Sequence, residues 1–321
     1  MNPLSICVLG GTGFVGSRLV ARLVGAGHRV KVLTRNRERH RHLLVLPELE
    51  LENANVHDAG QLAVQFRSVD VVVNLVGILN ERGRGGAGFR AAHTELARKV
   101  TQACRSAGVG RLLHMSSLRA DAQAGPSHYL RSKGEAEEIV RRECGTAVDY
   151  TIFRPSVIFG PDDSFINRFA HLLRLLPFFF PLARASARFA PVYVGDVVEA
   201  MMRCLHGGAA SRLSLDLCGP EVFTLREIVA FTAQTLRLKR SVVALPDFLG
   251  RMQAFIFDFV PGKPFSSDNF RSLTVDSICS EDGFARLGIG PQPMAGIVHQ
   301  YLGAKSTSGL LDEYREGARR P

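Results

Sequence analysis

The chain has 321 residues, 46% of them hydrophobic, with six cysteines, ten histidines and a formal net charge of +10. That length and apolar content exclude a disordered or fibrous chain and suit one large α/β domain with a smaller appended part; no apolar run reaches the ~18 to 20 residues that spanning a bilayer requires. Excess Lys and Arg attract polyanions, but here they are scattered over predicted helices without interleaved aromatics, helix-turn-helix or zinc-finger patterns, so no nucleic acid partner is expected.

Leu4 to Leu9 reads as a buried parallel strand and Ser17 to Gly25 as the helix after it, with Leu19, Val20, Leu23 and Val24 at helical spacing. Between them, Gly10, Gly13 and Gly16 form a G-x-x-G-x-x-G loop. Alone, such a loop is also an ordinary turn. Strand, glycine turn and helix in this order point instead to a dinucleotide pyrophosphate held at a helix N-terminus, with Gly10, Thr12, Gly13, Phe14, Val15 and Gly16 as its expected contacts. The second strand, Val30 to Thr34, ends in Arg35 with no acid at its tip. A carboxylate there would accept from a ribose hydroxyl, whereas an arginine pairs with a 2′-phosphate. Arg35, with Arg37 or Arg39, therefore implies NADP(H) in preference to NAD(H); the competing reading is a solvated basic turn.

The third strand, Leu49 to Asn55, leads into Asn55 and Val56, expected beside adenine; the fourth, Val69 to Val76, leads to Leu75, Val76 and Gly77, expected to lay backbone against the cofactor. After the fifth strand, Leu112 to Met115, come Ser117 and then Tyr129 and Lys133. Positions i and i+4 share a helix face, so the ammonium is expected to lower the phenol pKa and make Tyr129 an acid or base, while Ser117 orients a substrate oxygen. The sixth strand, Tyr150 to Phe153, precedes Pro155, Ser156 and Val157.

Beyond Pro155 the alternation breaks. A helix at Phe165 to Leu176, a strand at Phe189 to Val194, a helix at Gly195 to Leu205, a strand at Leu213 to Leu217 and helices at Thr224 to Leu238 and Leu245 to Val260 are expected. The fold class is therefore α/β, a Rossmann-type doubly wound parallel sheet with a smaller C-terminal lid. The nucleotide domain spans 1–160, with 189–217 returning to its sheet; 161–188 and 218–304 form the smaller region, and 305–321 a flexible tail. Leu172 to Ala183 and Leu245 to Val260 are rich in Leu, Phe and Ile and are read as core or cleft lining, the alternative being a membrane- or partner-facing patch. The cysteines, lacking a C-x-x-C pair and any preceding signal sequence, are read as reduced and buried in a cytoplasmic compartment. The histidines form no metal-ligand spacing.

In motif order the first 220 or so residues resemble the short-chain dehydrogenase/reductase superfamily, in its extended and atypical branches. The glycine loop, Arg35, Ser117/Tyr129/Lys133 and Arg154 to Pro161 all sit where that superfamily has them. The resemblance implies that Lys133 also holds the nicotinamide ribose and that Pro155 to Val157 pass beside the nicotinamide. Tyr129 to Glu137, Arg154 to Asp162 with Phe165 to Phe169, and Pro191 to Val197 are similar to the nucleotide-binding accessory subunits of respiratory complex I and their bacterial relatives. That likeness implies NADPH held without turnover, at a membrane complex. His93 departs from ordinary extended enzymes, which have asparagine there. Two functions follow: an NADP-dependent oxidoreductase or isomerase with a hydrophobic carbonyl substrate, or a non-catalytic accessory factor of a respiratory assembly, peripheral to a membrane. A redox sensor of the NmrA-like kind is a third, disfavoured by the retained Tyr129/Lys133 pair.

Overall fold

The computed structural model describes residues 2–302, and the tail expected at 305–321 lies outside them. Two compact units emerge. The first comprises the chain up to Pro155 together with Val197–Leu217 and Ser280–Ile289. It holds β1 (Ser5–Leu9), α1 (Phe14–Gly25), β2 (Arg29–Thr34), β3 (Leu49–Asn53), α2 (Ala59–Gln65), β4 (Val71–Asn74), α3 (Ala87–Phe89), α4 (Leu96–Ala107), β5 (Arg111–Met115), α5 (His128–Cys144) and β6 (Asp149–Pro155).

These strands, with Leu213–Leu217, make a seven-stranded sheet in the order Leu213–Leu217, β6, β5, β4, β1, β2, β3. Every pairing is parallel. A central parallel strand is covered on both faces, which is why β1, β4 and β5 read as continuous apolar runs. One face is filled by Leu96, Val100 and Cys104 of α4 and by Ile139 and Val140 of α5, packed with Cys7, Val72, Leu112 and Ile152. Strand order reverses between β1 and β4, where Leu9 pairs with Asn74. Ligands of doubly wound sheets bind outside the carboxyl ends at such a switch point, and here those ends lead into Gly10 and Leu75.

The second unit comprises Ser156–Asp196, Cys218–Cys279 and the described chain from Gly290. Its strands pair two by two: Ile158–Phe159 with Val192–Tyr193, Arg188–Phe189 with Phe223–Thr224, and Phe179–Leu182 with Ser241–Ala244. Of the segment 189–217, therefore, Leu213–Leu217 joins the large sheet, whereas Arg188–Phe189 and Val192–Tyr193 pair elsewhere. The helix Leu225–Thr235 starts at a capping box in which Thr224 and Glu227 satisfy each other's amides. No helix among the described residues is long and apolar enough to cross a membrane.

The cysteine expectation is corrected at one pair. Cys218 and Cys279 form a disulfide, with Cα atoms 5.9 Å apart and a sequence separation of 61. Spacing along the chain gave no hint of it, because the fold makes the neighbourhood: Gly219 donates to the Ala190 carbonyl, and Ala190 donates to the Ser277 carbonyl. Cysteine usage therefore no longer points to a reducing compartment. Cys7, Cys104, Cys144 and Cys204 are free and buried. Thiol titration after denaturation without reductant is expected to find these four, and six after reduction. Opening a loop of this length is expected to lower unfolding free energy by up to about 4 kcal/mol, measured as the denaturant midpoint with and without reductant.

Candidate functional site

The glycine loop is built by close approach. Gly10 adopts φ +78°, and a Cβ there would lie 3.0 Å from the Leu75 carbonyl carbon and 3.1 Å from the Val76 nitrogen. A Cβ on Gly16 would lie 2.2 Å from the Gly10 oxygen, so helix and turn pack backbone to backbone. Gly11 was missed by the sequence reading; its own Cβ would meet the Val32 methyls at 2.9 Å. The α1 N-terminus has Gly13 as its cap, no capping side chain and no acid in its first turn. Its first amides and its partial positive charge are thus available to an anion, and the residues present fit a dinucleotide pyrophosphate.

Arg35 is exposed immediately after β2. It lies near enough to the loop after β3 that, behind burial and Lys99, it pushes His57 below the usual imidazole range. In that loop Asn55 Oδ1 accepts from the His57 amide at 3.0 Å, and Asp58 caps α2. The Val56 side chain faces the core, leaving its backbone for any ligand. Arg37 and Arg39 belong to a short helix capped by Asn36, in which the Arg37 amide donates to Asn53 Oδ1 at 2.8 Å.

The structure gathers Gly77, His93, Ser117, Tyr129 and Lys133 in the same unit. A Cβ on Gly77 would lie 3.3 Å from Lys133 Nζ and 3.5 Å from His93 Nε2. Tyr129 stands edge-on to Phe89 at 5.9 Å and to His93 at 5.5 Å between ring centroids. Lys133 Nζ donates to the Met115 carbonyl at 2.9 Å. Burial brings its pKa down to about 8, against an upward pull from Glu137. The expected depression of Tyr129 is corrected: burial raises the phenol pKa, with Ser117 pulling against it. Ser117 Oγ is itself buried, with that phenol as its neighbour.

His93 sits on a π turn, Arg90–Glu95, between α3 and α4, a local distortion frequent at functional sites. The Ile78 amide donates to its Nε2 at 3.1 Å, so the ring proton is on Nδ1 and donates to Ser132 Oγ at 2.8 Å, which in turn donates to the Tyr129 carbonyl. Deeper still, Val76 donates to Asn74 Oδ1, and the Asn74 amide donates to His114 Nδ1 at 3.3 Å. Beneath the triad, buried Glu137 accepts from Ser116 Oγ at 2.6 Å, from Arg154 through Nε and Nη2, and from Arg141 at 2.6 Å. The sequence reading missed this network, although Lys133, Glu137 and Arg141 lie at successive i+4 positions. Pro155 closes β6, its carbonyl accepting from Leu118 at 2.9 Å. Ser156 and Val157 belong to the second unit, where Ser156 Oγ donates to the Ser277 carbonyl at 2.8 Å.

This fold and glycine turn define an NAD(P)-binding domain of the Rossmann type. Residues 10–165 match the NAD(P)H-binding family NAD_binding_10. Several proteins named as complex I subunits are similar along most of the chain. The chain is 28% identical over 312 residues to the Arabidopsis thaliana protein named NADH dehydrogenase [ubiquinone] 1 alpha subcomplex subunit 9, mitochondrial, covering 92% of this chain and 76% of that protein. It is 27% identical over 242 residues to a Caulobacter vibrioides ceramide reductase, covering 75% and 74% respectively. Among solved structures, a dTDP-glucose 4,6-dehydratase of Streptomyces venezuelae with NAD and TYD bound shares the fold, with a TM-score of 0.72 at 22% identity over 98% of this chain and 97% of that one.

Burial holds His93 down to about 2 and His114 down to about 3. Both stay neutral in the native state while the unfolded chain protonates them near 6.5, so unfolding takes up protons and stability falls as pH drops from 6.5 toward 3. Urea unfolding at pH 7 and pH 5 is expected to differ by about 2 kcal/mol from each histidine, and His114→Gln is expected to remove its share of that difference.

Proposed function

We propose that this protein is an NADP(H)-dependent reductase of the extended short-chain dehydrogenase type that acts on a hydrophobic carbonyl compound through Ser117, Tyr129 and Lys133. The observation that carries this reading is the pairing of the Ser117 hydroxyl with the Tyr129 phenol in a buried site that also holds Lys133. Two hydroxyls so placed converge on one point, where a substrate carbonyl oxygen would accept from both. Gly10 to Gly16, Leu75 to Gly77 and Arg35 would hold the dinucleotide, which when bound would supply hydride.

The chain's own residues handle the oxygen and its proton. Ser117 fixes the oxygen, and Tyr129 donates to it as charge develops. A phenol raised by burial is protonated at neutral pH, which suits a general acid in the direction of reduction. Lys133 donates from Nζ to Met115 here, and would donate to a ribose hydroxyl of a bound nucleotide. The relative named ceramide reductase lends support to a reductive reaction on a lipid-like substrate. Preference for NADP(H) rests on Arg35, since the dehydratase neighbour was solved with NAD.

A second reading is a non-catalytic accessory subunit of a respiratory membrane assembly. It is favoured by the homologues that bear that name along most of the chain. Both readings require nucleotide, and titration of reduced-nicotinamide fluorescence tests that requirement. Arg35→Asp is expected to weaken NADPH at least about tenfold, or 1.4 kcal/mol, with little effect on NADH. Tyr129→Phe separates the readings. As a reductase, the enzyme is expected to lose about a hundredfold or more in kcat on long-chain ketones with nucleotide affinity kept; a wild-type protein that binds NADPH but reduces none of them supports the accessory role.

A further inference from the structure

The two apolar segments, Leu172 to Ala183 and Leu245 to Val260, read as core or cleft lining with a membrane- or partner-facing patch as the alternative, and the structure turns much of them outward. Eleven of the sixteen exposed large hydrophobic side chains among the described residues fall between Leu175 and Phe179 or between Val243 and Val260. Isolated exposed apolar residues are ordinary, but such concentration is not. Phe178 is 80% exposed, Phe248 68% and Phe259 66%.

These residues belong to connected elements of one unit. The strand Phe179–Leu182 pairs in parallel with Ser241–Ala244, which runs through Leu245 and Pro246 into the helix Asp247–Phe257. That helix is built inside out. Its small residues, Gly250 and Ala254, are its buried ones; a Cβ on Gly250 would lie 3.0 Å from the Ala183 Cβ and from Phe270. Phe248, Met252 and Phe255, at i, i+4 and i+7, stand on the outer face. A helix that served only its own core would carry its large apolar side chains inward.

Charge selects the occupant. Residues 174–184 and 239–263 carry Arg174, Arg184, Lys239, Arg240, Arg251 and Lys263 against only Asp247 and Asp258, and Asp247 pairs with Arg184 at 3.1 Å. Arg174, Lys239 and Arg251 are exposed. Projecting aromatics in segments of net positive charge match an anionic lipid surface, whose acyl boundary admits apolar side chains to a depth of ~5 to 10 Å while its headgroups pair with the cations. The structure assigns this face, the helix Asp247–Phe257 with the Phe179–Leu182 strand and Phe178 before it, as a docking surface for an anionic bilayer. It is independent of whether Tyr129 turns over.

The test is co-sedimentation of the full chain with vesicles of phosphatidylcholine alone and of phosphatidylcholine and phosphatidylglycerol in equal parts. The variants are Phe248→Glu with Phe255→Glu, and Arg174→Glu with Lys239→Glu. NADPH affinity and the thermal midpoint, read on every variant, report folding and the nucleotide site separately. The expected result is binding to the anionic vesicles that falls at least about tenfold in the Phe variant and that added salt or the charge variant also weakens. Three results would overturn the assignment. One is equal binding, or none, to both vesicles. Another is a Phe variant that binds like the wild type, leaving charge alone. The third is a concentration-dependent dimer that the Phe variant abolishes while vesicles remain unbound, which would give the face to a second copy.

Discussion

Everything at the carboxyl edge of the large sheet depends on one backbone approach, that of Gly16 to the Gly10 carbonyl. A single methyl at Gly16 would come within 2.2 Å of that oxygen, far inside van der Waals contact. Without the approach, α1 could not lie so close over the turn, its first amides would be aimed elsewhere, and Gly10 could not face the Leu75–Val76 backbone across the switch point. The glycine turn therefore does two things at once: it packs the first helix, and it opens a strip of donors beside the end of β4.

On the other side of that strip, a single helix organises the reacting groups. α5 carries Tyr129, Ser132, Lys133 and Glu137, so helical pitch alone decides their spacing. Glu137 then ties the helix to β6 through Arg154 and to the turn after β5 through Ser116. A carboxylate buried to this degree persists only with partners that offset its lost hydration, and here they come from three elements. Ser116 is consumed by that task. Its neighbour Ser117 is left over, which gives the adjacent serines different fates.

The strands of the first unit were legible because continuous apolar runs between glycine and polar turns leave few alternatives, and their expected limits fall within two residues of the observed ones. The Tyr129/Lys133 juxtaposition was legible for a similar reason, since it is local. What stayed hidden is long-range. Arg154 meets Glu137, and Cys218 meets Cys279, only after the chain has folded. The phenol's environment was misread because i+4 proximity says nothing about burial, and burial is what raises the Tyr129 pKa. Apolar composition likewise could not say which side of the Asp247–Phe257 helix faces out; that depended on Gly250 and Ala254 finding Ala183 and Phe270.

The π turn at Arg90–Glu95 has a consequence for how this chain can change. A π turn accommodates one residue more than regular helix would and confines the excess to that turn, so deleting a residue within Arg90–Glu95 would restore α geometry while leaving the chain on either side nearly where it is. The change would fall on the side chains the turn presents, His93 among them, and so on its contacts with the Ile78 amide, Ser132 and the Tyr129 ring. A single-codon deletion would thus alter the wall beside Tyr129 without disturbing the helix frame around it.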